Sequence, residues 1–488
     1  MTPGRGARDV SDPWALAFED RQYSLADLDA LAGGMAAELH RRGVAAGSRV
    51  AVMSSNRPEF VVALRAIWRL GASAVLLSPA WKQAEVGHAL SLTEPTHAVG
   101  DHPVLAGAMP MLSLDEEIAP VAHGAVQPAP TPDADAVFVF SSGTTGMPKA
   151  VRHTHASLAV AVRHWRAALG LTSADRMQVM TPPSHILGLL NIVMALDTGA
   201  WIRLHRRFDI DAMLRHIESD RITIEMAVAP IALALSAHPG LEEHDLSSLR
   251  YIMWCATPVT QTVAEAVSAR TGATWVTAYG ASELPVISCN DLQDARLDTV
   301  GRAVAGVDIR IVSLESGAPL GPGDEGEIQV RSDSAMAGYL PDHWTADAFC
   351  DGWYRTGDVG SLDADGWLRI TDRAKEMIKV RGFQVAPAEV EAVLHGHPAV
   401  EDCAVFGVPA ADGEAIVAAV AASGPLDTDD LVALVAERLA GYKRLSQVFV
   451  VDEIPRLPSG KVLRRVLRER AMSARAESGG FGGRPSDQ

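Results

Sequence analysis

The sequence is poor in cysteine, and this shortage excludes two kinds of site. Cysteine occupies four of 488 positions, none of them in a Cys-x-x-Cys pair: Cys255, Cys289, Cys350 and Cys403. Such spacing supports neither a disulfide framework nor a zinc site. Scattered free thiols are typical of a protein in a reducing compartment, so we expect a cytoplasmic location.

Basic residues and long apolar runs are also scarce. Lys and Arg number 43 against 60 Asp and Glu, which gives a formal net charge of −17. A phosphate backbone repels such a chain, so a nucleic acid polymer is not an expected partner. One of the most apolar stretches, residues 60–77, is interrupted by Arg65 and Arg69. A membrane span is therefore not expected. Residues 1–10 carry Arg5 and Arg8 but are not followed by the apolar run of a signal peptide, so none is expected.

What the chain does contain is alternating helical and β-branched segments. Its length implies more than one core, and 48% hydrophobic with 21% charged residues is typical of a globular protein. The alternation predicts an α/β fold with mixed, buried sheets. Helices are predicted at residues 25–41, 59–70, 209–220, 387–394 and 428–439, and strands at 50–53, 74–77, 222–228 and 403–408. Between 306 and 331, short strands separated by Gly and Pro predict a small β-rich subdomain.

A boundary is predicted near Asp372, where a fresh α+β pattern begins. The chain upstream, residues 1–372, is then a large N-terminal domain, and residues 377–472 form a small C-terminal domain. Beyond it, residues 473–488 are rich in Ser, Gly and Arg, which predicts a disordered tail.

One loop decides the functional interpretation. The buried-strand pattern 136–140 runs into the string Ser141-Ser142-Gly143-Thr144-Thr145-Gly146-Met147-Pro148-Lys149. Glycines let backbone N–H groups converge, hydroxyls add donors and the lysine adds a cation, so the string has the parts of a polyphosphate cradle. It is not a P-loop, because Pro148 occupies the place of the second glycine. Its hydroxyls alone would indicate only a polar turn.

Two other strings are rejected as sites. Residues 321–326 match G-x-G-x-x-G, but a strand pattern follows where dinucleotide binding needs a helix, so a turn is predicted. The nucleophile elbow G-x-S-x-G fails at Leu284, which replaces its last glycine.

The 141–149 string resembles the signature S-S-G-T-T-G-x-P-K-G of the adenylate-forming (AMP-binding) superfamily, with Ala150 in the last place. The chain is similar to its acyl-CoA and aryl-CoA synthetases, including 4-coumarate–CoA ligase, and to firefly luciferase. Further motifs of the family recur in order over nearly the whole chain. The resemblance implies a hinge at residues 373–376, about which a mobile C-terminal lid domain rotates.

The resemblance also assigns roles to residues. ATP binding is implied for Ser141, Ser142, Gly143, Thr144, Thr145, Gly146, Lys149, Tyr279, Gly280, Ser282, Asp358 and Arg373. Mg²⁺ binding is implied for Glu283, a hard carboxylate ligand that suits this ion. The implied catalytic residues are Lys461, Lys379 and His185, the hinge residue is Lys375, and Gly382 lines the thiol tunnel. In isolation, most of these short strings would indicate only turns or surface ion pairs.

The implied acyl pocket is where the chain departs from its relatives. Residues expected to face the acyl group are Leu187, Asn191, Trp254, Cys255 and Ala256. Trp254 and Cys255 replace small residues of related ligases, which indicates a reshaped pocket. We expect a small aromatic or medium-length aliphatic carboxylate rather than a long fatty acid.

The resemblance thus implies an AMP-forming acid–CoA ligase that uses ATP, Mg²⁺ and CoA. Four alternatives stay open: loading of a carrier-protein phosphopantetheine, activation of an unusual acid for another nucleophile, a luciferase-like oxygenase, and a non-catalytic nucleotide-binding protein. Neither oligomeric state nor acid identity is determined by the sequence.

Overall fold

The computed structural model describes residues 13–121, 130–141, 148–255, 261–374, 376–380, 383–410, 413–456 and 462–477. Within these ranges helices and strands alternate along most of the chain, which confirms the predicted mixed α/β class. The helices are α1 (Leu25–Arg41), α2 (Pro58–Arg69), α3 (Gln83–Thr93), α4 (Pro103–Ala108), α5 (His155–Leu169), α6 (Ile186–Thr198), α7 (Ile210–Asp220), α8 (Ala229–Ala237), α9 (Gln261–Thr271), α10 (His343–Ala346), α11 (Pro387–Leu394), α12 (Thr428–Arg438) and α13 (Arg464–Glu477). None of the helices described is both long and apolar enough to cross a membrane.

The strands lie between these helices and are short in most cases. They are β1 (Trp14–Phe18), β2 (Arg21–Ser24), β3 (Arg49–Met53), β4 (Ser73–Leu77), β5 (His97–Gly100), β6 (Met111–Ser113), β7 (Asp135–Ser141), β8 (Lys149–Thr154), β9 (Arg176–Val179), β10 (Trp201–Leu204), β11 (Ile224–Ala227), β12 (Tyr251–Trp254), β13 (Trp275–Tyr279), β14 (Ser288–Cys289), β15 (Arg302–Ala303), β16 (Val307–Val312), β17 (Gly326–Ser332), β18 (Gly338–Leu340), β19 (Phe349–Cys350), β20 (Trp353–Leu362), β21 (Leu368–Arg373), β22 (Ile378–Val380), β23 (Phe383–Val385), β24 (Val400–Ala410), β25 (Gly413–Ala422) and β26 (Leu445–Val450).

The predicted elements correspond closely to those observed. Helices α1 and α11 have the predicted bounds, and α1 begins at a capping box in which Ser24 and Asp27 bond each other's backbone N–H. The G-x-G-x-x-G string at residues 321–326 is a turn that leads into β17, as expected. Residues 363–367 connect the hairpin β20–β21, with Gly366 in the left-handed region at φ +81°.

The first five residues of the predicted tail, 473–477, are helical, because α13 continues to Glu477, and residues 478–488 lie outside the described residues. Arg465 and Glu469 pair one turn apart on this helix at 3.3 Å, a spacing that supports helix continuation. Ser, Gly and Arg content therefore misplaced the end of the helix.

The chain divides into two compact units. The first comprises described residues of 1–309 and 329–355, and the second those of 310–328 and 356–488. The predicted boundary near Asp372 lies inside the second unit. One contact that joins the chain across this boundary is a hydrogen bond from the Ala388 N–H to the Asp372 carboxylate at 3.0 Å.

In the first unit, the described strands form two large sheets. One has the order β15-β14-β13-β12-β11-β9-β10-β1-β2, and the other β18-β8-β7-β4-β3-β5-β6. The central strands β1 and β9–β13 run parallel, so their carboxyl ends share one edge. Helices cover both faces of such a sheet, which explains why its strands are buried on both sides. Binding residues are expected at the carboxyl edge.

The second unit contains the sheet β23-β22-β25-β24, with β26 paired to β25. Successive residues of β24 point to opposite faces: Cys403 and Val405 pack with α11 and α12, whereas Ala404 and Phe406 pack with α13. One small sheet therefore supports helices on both sides.

A buried carboxyl group lies in the core of the first unit. Glu225 of β11 is fully buried and accepts a hydrogen bond from the Gln178 side chain at 2.9 Å. The Gln178 amide oxygen in turn lies against the His205 imidazole. Burial raises the pKa of Glu225 to about 8 and lowers the pKa of His205 to about 4, so both groups are neutral in weakly acidic solution.

We expect Glu225 to make folding stability fall as the pH rises. Its pKa is raised in the folded chain, so the stabilisation is present below about pH 4.5 and is lost on the way to about pH 8. The slope is at most about 1.4 kcal/mol per pH unit for one proton. Melting temperatures measured from pH 5 to 8 should therefore fall more steeply for the natural chain than for Glu225→Gln. Glu218→Gln, at an exposed carboxylate, should retain the steep fall; equal slopes in all three proteins would contradict this.

Candidate active site

The 141–149 string connects two antiparallel strands. β7 is buried from Ala136 to Phe140 and ends at Ser141, which pairs with Lys149 at the start of β8. The strands thus bring the first and last residues of the string side by side. Its predicted phosphate ligands between them, Ser142, Gly143, Thr144, Thr145 and Gly146, lie outside the described residues.

Lys149 contacts aromatic rings instead of a carboxylate. Its ammonium nitrogen lies 5.1 Å from the centroid of the Tyr339 ring and 5.1 Å from that of Trp344. Both distances are within the range of cation–π attraction. No ion pair joins Lys149 to an acidic residue in the part of the chain described.

The Tyr279–Glu283 segment follows the carboxyl end of β13. Gly280 is required there, because a Cβ atom at this position would lie 2.0 Å from the Pro285 carbonyl oxygen. The Ala281 N–H donates to the Leu284 carbonyl at 3.0 Å and closes the turn. This tight turn directs Glu283 inward, where it is 8% exposed.

The carboxylate of Glu283 is held through one of its two oxygens by the described residues. Its Oε1 accepts a hydrogen bond from the Tyr339 hydroxyl at 2.7 Å, and its backbone carbonyl accepts from the Met336 N–H at 2.7 Å. Oε2 has no partner among the described residues. A carboxylate with one anchored and one available oxygen, in a nearly buried position, is suited to binding a hard cation.

Two buried side chains support this turn. His153 Nε2 donates to the Ser282 carbonyl oxygen at 2.8 Å, and burial lowers the pKa of His153 so that the ring is neutral near pH 7. The phenol of Tyr354 lies close to Tyr339 and Glu283, and its pKa is raised well above the ordinary value by burial and by the Glu283 charge. Sequence reasoning gave no role to His153, Tyr339 or Trp344, since nothing in the sequence links residue 283 with residue 339.

His185 precedes helix α6, and the residues behind it are tightly packed. Burial lowers the pKa of His185, so its imidazole is neutral near pH 7. A Cβ atom at Gly188 would lie 2.3 Å from the Pro182 carbonyl oxygen, so only glycine lets the helix approach this segment. Leu187 is partly exposed, and Asn191, one turn further, is fully buried.

The amide of Asn191 has a defined orientation. Its Oδ1 accepts a hydrogen bond from the indole Nε1 of Trp165 at 2.8 Å. An indole can only donate, so this contact identifies the oxygen and leaves the NH₂ group as the free end. Nδ2 is buried and has no hydrogen-bond partner within the described ranges. An unsatisfied buried donor of this kind is costly unless a ligand or water supplies an acceptor.

Trp254 and Cys255 face opposite sides of the sheet. Trp254 packs in the apolar core against Trp275, with ring centroids 5.4 Å apart, and this core includes helices α7, α8 and α9. By strand alternation, Cys255 points to the same face of the sheet as Tyr251. The Tyr251 hydroxyl donates to the Leu169 carbonyl at the end of α5, so this is the face that α5 covers. Cys255 therefore shares the α5 side with Trp165 and Asn191, whereas the indole of Trp254 fills the core. Ala256 lies outside the described residues.

In the second unit, two predicted nucleotide-binding residues meet. Asp358 of β20 stands opposite Arg373 of β21, and its Oδ1 lies 3.0 Å from the Arg373 Nε. Asp358 is 6% exposed. Gly357, at φ +70°, takes the left-handed conformation just before it. The antiparallel register thus creates the pair from residues 15 positions apart.

The region after β21 is fixed by charged contacts within the second unit. The guanidinium of Arg464 contacts Glu376, and it lies 2.7 Å from Glu391. Lys379 is exposed, and its backbone N–H donates to the Glu414 carboxylate at 2.9 Å. Three predicted functional residues of this unit, Lys375, Gly382 and Lys461, lie outside the described residues.

The fold and these motifs define an adenylate-forming enzyme. The chain belongs to the AMP-binding enzyme family: residues 5–340 match the AMP-binding enzyme domain and residues 389–461 match the AMP-binding enzyme C-terminal domain. The resemblance stated from the sequence motifs is confirmed.

Particular relatives cover nearly the whole chain. 4-Coumarate–CoA ligase 1 of Oryza sativa subsp. japonica is 34% identical over 93% of this chain and 88% of that protein. The ATP-bound structure of MatB from Rhodopseudomonas palustris superposes with a TM-score of 0.89 and 27% identity, over 96% of this chain and 97% of that one. Amide bond synthetase McbA from Marinactinospora thermotolerans gives a TM-score of 0.87 and 30% identity, over 94% and 97%.

We expect Gly280→Ala to weaken nucleotide binding, because its Cβ would displace the turn that directs Glu283. Overpacking costs about 1–3 kcal/mol, so the affinity for MgATP should fall by about 5- to 150-fold. Isothermal titration calorimetry measures this. The control Gly87→Ala places its methyl group in open space on α3 and should bind like the natural chain. Unchanged affinity in Gly280→Ala would contradict the role of the turn.

Proposed function

We propose that the chain is an AMP-forming carboxylic acid–CoA ligase. The observation that carries this proposal is the buried Glu283, which has one carboxylate oxygen anchored and one available and which contacts the same tyrosine, Tyr339, as Lys149. It is supported by one-third identity with an acid–CoA ligase over nearly the full length.

The residues present fit Mg²⁺ at one position. Glu283 supplies a nearly buried carboxylate oxygen without a protein partner in the described ranges, which is the donor that this ion prefers. When bound, Mg²⁺ supplies positive charge against the phosphate oxygens of ATP. Tyr339 orients the carboxylate, and the turn through Gly280 fixes its backbone.

The nucleotide contacts follow the family pattern. The 141–149 string binds the phosphates, Tyr279 stacks on adenine, and Ser282 contacts phosphate. Asp358 accepts hydrogen bonds from the ribose hydroxyls, a role that suits an acceptor-only carboxylate. Its ion pair with Arg373 supports this, since the arginine orients the carboxylate.

The first half-reaction joins two anions. A carboxylate oxygen of the acid attacks the α-phosphorus of ATP, the bond to pyrophosphate breaks, and an acyl-adenylate forms. The protein contributes positioning and cationic groups, because no covalent enzyme intermediate is needed. Lys461 bridges the carboxylate and the α-phosphate in this proposal, and His185, as a neutral ring, borders the acyl group.

The second half-reaction transfers the acyl group to a thiol. Rotation about the hinge at residues 373–376, with Lys375 at its centre, withdraws Lys461 and brings Lys379 and Gly382 forward. The sulfur of CoA attacks the acyl carbon and AMP leaves. The domain arrangement that belongs to this mechanism is the predicted one, with a lid at 377–472 after a large N-terminal domain.

The acyl substrate is a small aromatic or medium-length aliphatic acid in this proposal. Leu187, Asn191 and Cys255 lie on the side of the sheet covered by α5 and α6, and the free amide of Asn191 favours an acid with a hydrogen-bond acceptor. The Trp254 indole packs on Trp275 in the core on the opposite face of the sheet, so it does not line the proposed pocket directly. We place the enzyme in the cytosol, with CoA as its partner molecule.

A second candidate activity is amide formation. The 30% identity with an amide bond synthetase favours it, because an amine can replace the thiol as nucleophile on the same acyl-adenylate. A carrier-protein phosphopantetheine thiol is a further possible acceptor.

We expect pyrophosphate release with a panel of carboxylic acids to identify the function. Small aromatic and C6–C10 acids should give the highest kcat/KM, and thioester should form only when CoA is added. Parallel reactions with an amine or a phosphopantetheinylated carrier protein distinguish the other acceptors. A maximum with palmitate-length acids would refute the substrate class, and amide without thioester would replace the ligase proposal.

We expect Lys461→Ala and Gly382→Trp to separate the half-reactions. Lys461→Ala should slow adenylation by at least about 10²-fold, the scale for one preorganised donor, and largely spare thioester formation from synthetic acyl-adenylate. Gly382→Trp should do the reverse. Arg465→Ala removes a neighbouring exposed cation and serves as the control. Equal losses in both half-reactions would contradict the hinge mechanism.

We expect Asn191→Leu to reduce the preference for acceptor-bearing acids. One hydrogen bond contributes about 0.5–1.5 kcal/mol, so the ratio of kcat/KM between a hydroxylated acid and its unsubstituted parent should fall by about 2- to 12-fold. Thr198→Val, on the same helix, should keep the ratio. An unchanged ratio in Asn191→Leu would exclude a contact with the substituent.

A further inference from the structure

One tyrosine contacts both charged residues of the nucleotide site in the first unit. The Tyr339 hydroxyl donates to Glu283 Oε1 at 2.7 Å, and the face of the same ring lies 5.1 Å from the Lys149 nitrogen. Trp344 provides a second ring at 5.1 Å from that nitrogen. We call Tyr339 and Trp344 the aromatic clamp.

The backbone holds the clamp against the phosphate-binding hairpin. β18 pairs antiparallel with β8, so Tyr339 stands opposite Val151, two residues from Lys149. The Tyr339 N–H donates to the Thr345 hydroxyl at 2.9 Å, which ties the strand to helix α10 and its Trp344. Gly338 allows this approach, since a Cβ atom there would lie 2.8 Å from the Thr345 hydroxyl oxygen.

The clamp separates opposite charges. Lys149 and Glu283 contact the same phenol, yet they form no ion pair with each other. In a partly buried site, a lysine and a carboxylate attract each other strongly. The ring faces attract the cation and the hydroxyl attracts the carboxylate, so each charge has a separate partner.

We infer that Tyr339 and Trp344 are positioning residues that keep Lys149 from neutralising Glu283 before the nucleotide binds. Lys149 then remains available to phosphate and Glu283 to a cation. This inference rests on the proposed nucleotide roles of these two residues. The ordinary alternative is that both rings only fill space.

Three substitutions at two positions separate the contacts. Trp344→Leu keeps apolar bulk but removes a ring face, and Trp344→Phe restores a ring. Tyr339→Phe keeps the ring and removes the hydroxyl that holds Glu283. The exposed Phe208, replaced by leucine, is the control for loss of an aromatic ring.

The first measurement uses nucleotide-free protein. A double-mutant cycle of Trp344→Leu and Lys149→Met compares midpoints of chemical or thermal unfolding. The clamp predicts coupling: Trp344→Leu should destabilise the chain less when Lys149 is already methionine. Additive effects would overturn the contact between ring and cation, whatever the enzyme's function.

The second measurement is MgATP affinity by calorimetry. Trp344→Leu should weaken binding by about 3- to 10-fold, Trp344→Phe should restore most of it, and Trp344→Leu should have no further effect in Lys149→Met. Tyr339→Phe should raise the Mg²⁺ concentration needed for half-maximal ATP binding by a similar factor. Phe208→Leu should bind normally.

The outcomes distinguish the two proposals. If Trp344→Leu weakened MgATP binding equally in the natural chain and in Lys149→Met, the rings would have only a packing role and the positioning role would be overturned. If the natural chain bound no MgATP, the proposed function would fail, and the nucleotide role of the clamp with it. The nucleotide-free cycle would still show whether the rings hold Lys149.

Discussion

The hydrogen bond from the Tyr339 hydroxyl to the buried Glu283 carboxylate is the contact on which the described part of the site depends. A nearly buried carboxylate is stable only when it is bonded, and a cation ligand is useful only when an oxygen stays available. One bond to one oxygen meets both requirements. The turn at Gly280, the His153 contact to Ser282 and the pairing of β18 with β8 all serve to bring this donor and acceptor together.

Charged and titratable groups elsewhere in the chain are also paired with specific partners. In the second unit, Asp358 and Arg373 neutralise each other across two antiparallel strands, and Arg464 contacts Glu376 and Glu391 just beyond them. In the first unit, Gln178 bonds Glu225, whose carboxyl holds its proton into the weakly alkaline range. A net charge of −17 says nothing of such placement, since the few charges that matter are fixed individually by partners within the fold.

The acyl side of the site follows from strand geometry. Adjacent residues of a strand point to opposite faces of the sheet, so Trp254 and Cys255 lie in different surroundings. The Trp254 indole packs in the core against Trp275, and the Cys255 thiol lies on the side covered by α5 and α6. Asn191 belongs to that second side, and Trp165 fixes which end of its amide is free. The proposed acyl pocket therefore lies under the helix layer over the sheet, whereas the bulky Trp254 side chain lies in the core on the other face.

The sequence by itself determined the family, the α/β class, the motif strings and the positions of several helices and strands. These depend on local spacing: hydroxyls and glycines in one string, apolar residues at helical or strand period. Helix α1 and the turn at 321–326 came out as predicted for that reason. The tertiary structure alone decided which motifs meet. Tyr339 and Glu283 are 56 residues apart, and Asn191 and Trp165 are 26 apart, and no local signal links them. Strand register and helix packing create such pairs, since they act between segments that the chain order does not connect.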